Sequence, residues 1–300
     1  MAKNPFSVYG RIARMAPTLS GKLFVLVPSG SALIPELQEL FPADEDGVVR
    51  VYTDLATVAA ACVSGRGDTV AVMPGTYTIS TVVSSAITDW KLIGVGAPGQ
   101  AILTGSAASI LTLTGTGVEV ANLTFNIATT KKAITLTGAS NCNIHDNNFL
   151  ASVGGAASHF IHMLTTACTY NWIHDNKFIT NLDVSGAAVT QTSHITGLGI
   201  GNVIEHNLFV AGRLTTANNG VVTSGIVFAA AADAGNMVRW NTFTEFNGAT
   251  FTAGVDYGTT ALGGSVICVE NNFMLATAAN AVVQGSNAGQ FANNIASGTV

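Results

Sequence analysis

Apolar and polar residues alternate in short runs through most of this chain, as in Ala133-Ile-Thr-Leu-Thr and residues 118–125. That is the two-residue period of a strand, whose successive side chains point to opposite faces. Thr, Val and Ile fill the runs, and Gly and Asn separate them, so many short strands joined by tight turns are expected. Helical spacing stands out near the N-terminus. Residues 31–41 carry Leu33, Ile34, Leu37, Leu40 and Phe41. Leu55, Val58, Ala59 and Cys62 form one face of a second helix reaching to Ser64, with Thr53 or Asp54 as its N-cap. Strands are expected at 22–27, 48–52 and 69–73, with turns at 42–47, 65–68 and 74–75.

A repeat then takes over. Ile144-His-Asp-Asn-Asn-Phe149, Ile173-His-Asp-Asn-Lys-Phe178, Ile204-Glu-His-Asn-Leu-Phe209, Val238-Arg-Trp-Asn-Thr-Phe243 and Cys268-Val-Glu-Asn-Asn-Phe273 share the pattern apolar-x-x-Asn-x-Phe. By subtraction, Asn147, Asn176, Asn207, Asn241 and Asn271 are separated by 29, 31, 34 and 30 residues. Residues 120–125 fit with Leu123 in place of Asn. The segment 90–96 reads as an earlier coil, and Phe291-Ala-Asn-Asn-Ile295 as a degenerate last one. One coil cannot bury its inward face alone, but a stack of coils can. The expected fold is therefore all-β, a right-handed single-stranded parallel β-helix. Phe149, Phe178, Phe209, Phe243 and Phe273 would stack through its interior. The five Asn would form a ladder at a turn, where Asn tolerates left-handed backbone. A β-propeller or sandwich is the rival arrangement of short strands; one Asn and one Phe per coil favour the solenoid. The intervals 154–167, 186–201, 215–225 and 248–264, rich in Gly, Ala, Ser and Thr, are expected as loops or widened coils on one face.

Composition adds a surface argument. Of 300 residues, 48% are hydrophobic and only 10% charged, and the mean hydropathy is +0.42. Typical domains carry about 25% charged residues. No apolar run approaches a membrane span of about 18 residues, so a surface this poor in charge suggests contact with other protein chains. The net charge of −5 speaks against nucleic acid as partner. Residues 1–22 hold Lys3, Arg11, Arg14 and Lys22 and no acid, a local basic arm. Cys62, Cys142, Cys168 and Cys268 are irregularly spaced among apolar or small residues and are expected as buried free thiols. The N-terminus lacks the apolar core of a secretory signal.

Two resemblances follow from motifs. The second helix followed by Gly67-Asp-Thr-Val-Ala-Val-Met-Pro-Gly-Thr-Tyr-Thr78 resembles the N-terminal entry of pectin-lyase-like β-helix proteins. In those proteins an amphipathic helix plugs the open end of the solenoid. Residues 21–30, the acidic turn, that helix and Arg66-Gly-Asp-Thr-Val-Ala-Val-Met-Pro-Gly75 together resemble β-helix proteins encoded among tailed-phage head genes. The resemblance spans about residues 20–80. It implies a non-enzymatic virion structural protein, a capsid decoration or cement protein, made in the host cytoplasm and placed on the capsid exterior. It further implies that the chain binds the major capsid protein and is homotrimeric. The organisation expected is an arm and attachment segment over 1–47, an α/β cap over 48–80 and a parallel β-helix over 81–300. Phe6, Tyr9, Arg11, Ile12, Arg14 and Met15 would anchor the arm.

The alternative is a carbohydrate-active β-helix or a non-catalytic glycan-binding virion protein. Glycoside hydrolysis needs two carboxylates flanking the scissile bond, and coils stack roughly 4.8 Å apart, so equivalent positions on neighbouring coils could supply them. The column before the ladder Asn reads Asp146, Asp175, His206, Trp240 and Glu270; the one before that reads His145, His174, Glu205, Arg239 and Val269. Asp146, Asp175, Glu205 and His206 are the candidates for acid–base or metal chemistry, and Trp240 for stacking on a sugar. The competing reading is a solvated turn of ordinary composition. Motifs known from polygalacturonase-like chains are absent, and pectinesterase-like chains share only the Gly75-Thr-Tyr77 entry. No P-loop, HExxH or GxSxG pattern occurs, and no cofactor or metal is expected.

Overall fold

The computed structural model describes residues 21–297 apart from 98, 106, 128–130, 152–158, 182–189, 198, 213–220, 229–234, 247, 259–265, 278–280 and 284–288. The arm residues Phe6, Tyr9, Arg11, Ile12, Arg14 and Met15 lie outside the described residues. The chain winds as a parallel β-helix with three sheets of eleven, nine and eight strands, and the strand pairings are parallel. One coil shows the plan. Asn143–His145 lies in the eleven-stranded sheet, Asn148–Ala151 in the nine-stranded sheet and His159–Met163 in the eight-stranded sheet. The next coil repeats it with Trp172–His174, Lys177–Asn181 and Thr190–Gly197.

Both predicted helices are present and shorter than expected. Helix α1, Ile34–Leu40, lies over the outer face of the eleven-stranded sheet. Its Leu37, with the neighbouring Ile34 and Phe41, packs on Leu23, Val25, Val27, Ala71, Met73 and Val95. Helix α2, Leu55–Ala61, is capped by Asp54, whose side chain accepts from the Thr57 backbone N–H at 2.7 Å. Its Leu55, Val58 and Ala59 join Phe24, Leu26, Val70 and Trp90 in the solenoid core, which closes that end of the stack. The predicted strand at 48–52 shrinks to Val51–Tyr52. Leu23–Leu26, inside the segment read as an attachment region, pairs with Thr69–Val72 and is a full member of the eleven-stranded sheet. All four of its residues are buried, because one face meets α1 and the other the core. Asp68 ties this entry together. It is fully buried, pairs with Arg66 through both oxygens and accepts from the Val63 and Lys22 N–H groups.

The five predicted Asn and five predicted Phe stand in register on successive coils. The Phe rings, with Phe125 before them, stack at centroid distances of 5.1, 4.8, 4.9, 4.6 and 4.7 Å. Each Asn bonds across three coils. The Asn176 Nδ2 donates back to Ile144 O at 2.8 Å and forward to Asn207 Oδ1 at 3.1 Å, which also accepts from the Asn176 backbone N–H at 3.0 Å. Asn294 extends the ladder at the degenerate last coil.

One expectation is corrected. The left-handed residue at this corner is the one before the ladder Asn: Asp146, Asp175, His206, Trp240 and Glu270 have φ between 55° and 58°. The Asn itself points inward and is at most 2% exposed, because its amide is needed inside to bond the corner's peptide groups. The Gly- and Ala-rich intervals, expected as loops or widened coils on one face, contribute strands to one sheet. They hold His159–Met163, Thr190–Gly197, Val221–Phe228 and Thr250–Asp256, strands of the eight-stranded sheet. Their small residues answer the Phe stack. A Cβ on Gly225 would stand 2.6 Å from Phe243 Cε1, and one on Gly254 would stand 2.5 Å from Phe273 Cε1. Glycine here makes room for a ring.

Gly225→Ala is expected to destabilise by roughly 1–3 kcal/mol through overpacking, and Asn207→Ala by roughly 2–4 kcal/mol because it strands buried carbonyl and N–H groups. Urea titration of each variant against the parent checks both. A change under about 0.5 kcal/mol for Asn207→Ala would refute the ladder's role.

Candidate functional site

The candidate residues do converge, on the outer face of the eleven-stranded sheet and its exit corner. Register sets His145, His174, Glu205, Arg239 and Val269 side by side on successive coils, and the left-handed column of Asp146, Asp175, His206, Trp240 and Glu270 runs beside them.

A continuous chain of contacts runs along this face. Lys91 Nζ lies 2.7 Å from Glu119 Oε2, and Glu119 Oε1 lies 3.3 Å from His145 Nε2. The His145 ring stacks on His174 at 4.9 Å with planes 4° apart, and His174 stacks on Trp172 at 3.9 Å. The Trp172 indole N–H donates to Glu205 Oε1 at 2.9 Å, and Arg239 Nε donates to Glu205 Oε2 at 2.5 Å. The Arg239 guanidinium lies 4.0 Å from the Trp240 ring centre, and the Trp240 indole N–H donates to Glu270. His145 and Lys91 hold the Glu119 carboxyl down to about 2 against the opposing effect of burial. Glu119 in turn raises the His145 imidazole above its ordinary value.

This places each catalytic candidate. Glu205 is buried and has both oxygens engaged. His206 packs against Trp240 at 5.0 Å. Asp146 and Asp175 sit on adjacent coils at the rim of a shallow depression of about 240 Å³, also lined by Asn122, Asn147, Asn148 and Lys177. Each lies within hydrogen-bond reach of the histidine preceding it, at 2.8 and 2.7 Å. The two aspartates occupy equivalent corners of the repeat, while their histidines reach different partners, His145 to Glu119 and His174 to Asn143. Among the described residues no group of three or more His, Cys, Asp or Glu is placed to hold a metal.

Sequence reasoning missed three features. A second Asn ladder, Asn171, Asn202 and Asn236, stands at the other corner of the same sheet. Its signal was present: each precedes Asn176, Asn207 or Asn241 by five residues, extending the motif to Asn-x-apolar-x-x-Asn-x-Phe. A histidine pair, His159 and His162, lies on the eight-stranded sheet with rings 5.1 Å apart. His159 Nδ1 lies 2.7 Å from Ser193 Oγ and 2.9 Å from Thr196 Oγ1. A hydroxyl beside an imidazole is the pairing of a nucleophile with its base, yet Ser193 is fully buried and no described carboxylate orients the imidazole. Burial, helped by the Lys132 charge, presses both imidazoles down to about 4. The third is His194, fully buried among Phe160, Phe178, Phe209 and Phe251 and pressed down to about 3 by burial. Its Nε2 meets Thr180 Oγ1, whose hydrogen goes to Gln191 Oε1, so Nε2 carries the proton by elimination.

The four cysteines are buried free thiols, as expected, and among the described residues no helix is long and apolar enough to cross a membrane. No family model and no curated protein matches the chain. Several solved structures are similar to it. A pectin methylesterase in complex with a hexasaccharide has a TM-score of 0.42 at 11% identity, over 74% of this chain and 79% of that one. A rhamnogalacturonan lyase has a TM-score of 0.40 at 10% identity, over 93% and 90%. ORF18 of Geobacillus virus E2 has a TM-score of 0.35 at 12% identity, over 87% of this chain and 61% of that one.

The depressed histidines fix a pH dependence. In the unfolded chain they bind protons near pH 6.5; in the folded chain they stay neutral down to about 4 or 3. The contribution of these three histidines is therefore full above about pH 6.5 and falls as pH drops toward 4, with His194 alone contributing up to about 1.4 kcal/mol per pH unit; the raised His145 adds the opposite trend only above about pH 6.5. Urea midpoints measured from pH 7 to 4.5, above the titration of Glu119, Asp44 and Asp68, should decline steadily; a flat profile would contradict buried neutral imidazoles.

Proposed function

We propose that this chain is a non-enzymatic structural protein of a tailed-phage virion, a capsid decoration or cement protein that assembles as a homotrimer on the capsid exterior and meets the major capsid protein through its N-terminal region. The observation that carries the non-enzymatic part is the engagement of the candidate side chains. Glu205 joins Trp172 to Arg239 across coils, His206 packs on Trp240, and Asp146 and Asp175 lie against their own histidines in matching corners. These contacts brace the stack, which supports a structural role for the column. The capsid part is supported by the resemblance of residues 20–80 and by the basic arm on an acidic, charge-poor chain. Such a surface has few charges to desolvate where it meets other subunits.

Two measurements test this reading. Chain lacking residues 1–22 is expected to lose attachment to capsids in a co-sedimentation assay, and full attachment by the truncated chain would remove the arm from the proposal. Incubation with host surface polysaccharide is expected to release no reducing ends. Cleavage that disappears on Asp146→Ala or Asp175→Ala would make the protein a carbohydrate-active enzyme instead.

A further inference from the structure

Among the described residues the chain passes through left-handed backbone both on entering the eleven-stranded sheet and on leaving it. At the entering corner the chain uses Asp89, Gly117, Asn141, Tyr170, Gly201 and Gly235. Gly, Asn and Asp are the residues that tolerate this backbone. Tyr170 is the exception, a bulky residue at φ 57° that is 62% exposed. Its side chain therefore gives the core little in return for an unfavourable backbone, and such outliers point to function.

The ring's surroundings give the chemistry. Tyr170 rests over Gly201, where a Cβ would stand 2.6 Å from its Cε1 and 2.7 Å from its Cδ1, so the next coil is bare beneath it. Two residues on, Trp172 leaves the corner on the same outer face, 44% exposed. Its indole N–H is already donated to Glu205 and one side of it is stacked on His174, so what it offers outward is ring surface at a fixed angle. One coil earlier the same two columns carry Asn141 and Asn143. Asn141 is exposed, and Asn143 uses one half of its amide on His174 and keeps the other half open. The nearby charges are matched: Glu205 with Arg239, and Glu119 with Lys91 and His145. Trp240 differs, since Arg239 and His206 both pack against its ring.

We infer that Tyr170 and Trp172, with the amides of Asn141 and Asn143, form a binding platform for an uncharged pyranose unit of a glycan. The C–H face of a sugar ring carries partial positive charge and stacks on the negative face of an aromatic ring. The planar amides donate to and accept from vicinal hydroxyls. The two aromatic residues lie about 6–7 Å apart along the chain, a span of one to two sugar rings. Among the described residues the charges near the platform are paired, so a uronate unit gains nothing over a neutral one. The Trp172 ring is held before the ligand arrives, which lowers the ordering cost of binding. The platform is independent of the capsid reading; Tyr170 stands at the opposite corner of the sheet from Asp146 and Asp175, while Trp172 stacks on His174 beside Asp175.

The test uses the full-length protein alone, titrated by calorimetry with maltohexaose, cellohexaose and mannohexaose, and with hexagalacturonate as the charged probe. Tyr170→Gly removes the ring while placing at this corner the residue that Gly201 and Gly235 already supply, so the fold is preserved. At least one neutral hexasaccharide is expected to bind saturably, about tenfold more weakly to Tyr170→Gly and to Trp172→Ala, and hexagalacturonate more weakly than that sugar. The inference fails if no neutral probe binds up to about 10 mM, if the charged probe binds equally well, or if Tyr170→Gly binds like the parent. Sedimentation velocity supplies the last arm: self-association lost in Tyr170→Gly, without sugar binding to the parent, would assign the rings to a second copy and overturn the inference.

Discussion

A buried side-chain amide bridging three coils is the interaction on which this structure depends. A chain that must bend sharply between two sheets leaves peptide groups at the bend that neither sheet can satisfy, and burying them unpaired costs on the order of 1–3 kcal/mol each. Asn is suited to this because one small group both donates and accepts. Asn147, Asn176, Asn207, Asn241 and Asn271 do so at one corner, and Asn171, Asn202 and Asn236 at the other. With both bends satisfied internally, the strand between them can be as short as the three residues of Trp172–His174.

That constraint orders the surface as well as the core. Once the inward Asn is fixed, the residue before it is forced into left-handed backbone, and every coil presents the same outward positions in straight columns. The polar and aromatic face of the eleven-stranded sheet is a product of this alignment. Contacts such as His145 on His174, or Glu205 between Trp172 and Arg239, arise between residues about 30 positions apart because register makes them neighbours. The same alignment sets Asp146 and Asp175 on adjacent coils, each beside its own histidine.

The architecture was legible where chemistry recurred at one spacing. The Asn and Phe of apolar-x-x-Asn-x-Phe located the corner and the stacked rings, and the α2 face of Leu55, Val58 and Ala59 located the plug. Legibility failed where structure depends on what a residue faces rather than what it is. Gly225 and Gly254 read only as members of Gly-rich intervals, with nothing to mark that they face Phe243 and Phe273. His194 carries no local sign of burial, because its place among four Phe rings is set by coils before and after it. The second Asn ladder was visible in the letters, but it is shorter and was overshadowed by the first. At the candidate site, the columns could be read in advance; the pairing that engages Glu205 and the stacking of imidazoles required side-chain positions.

Helix α2 closes one end of the solenoid, and among the described residues each coil pairs with its immediate neighbours. Adding or removing a whole unit would leave every remaining contact type intact, provided the inserted stretch keeps both amides and the ring. Length is thus an adjustable dimension of this fold, changing in increments of about 4.8 Å without redesign of the interior. A lineage built on such a chain could alter how far a rigid projection extends by duplicating some thirty codons, a far shorter evolutionary path than reshaping a globular core.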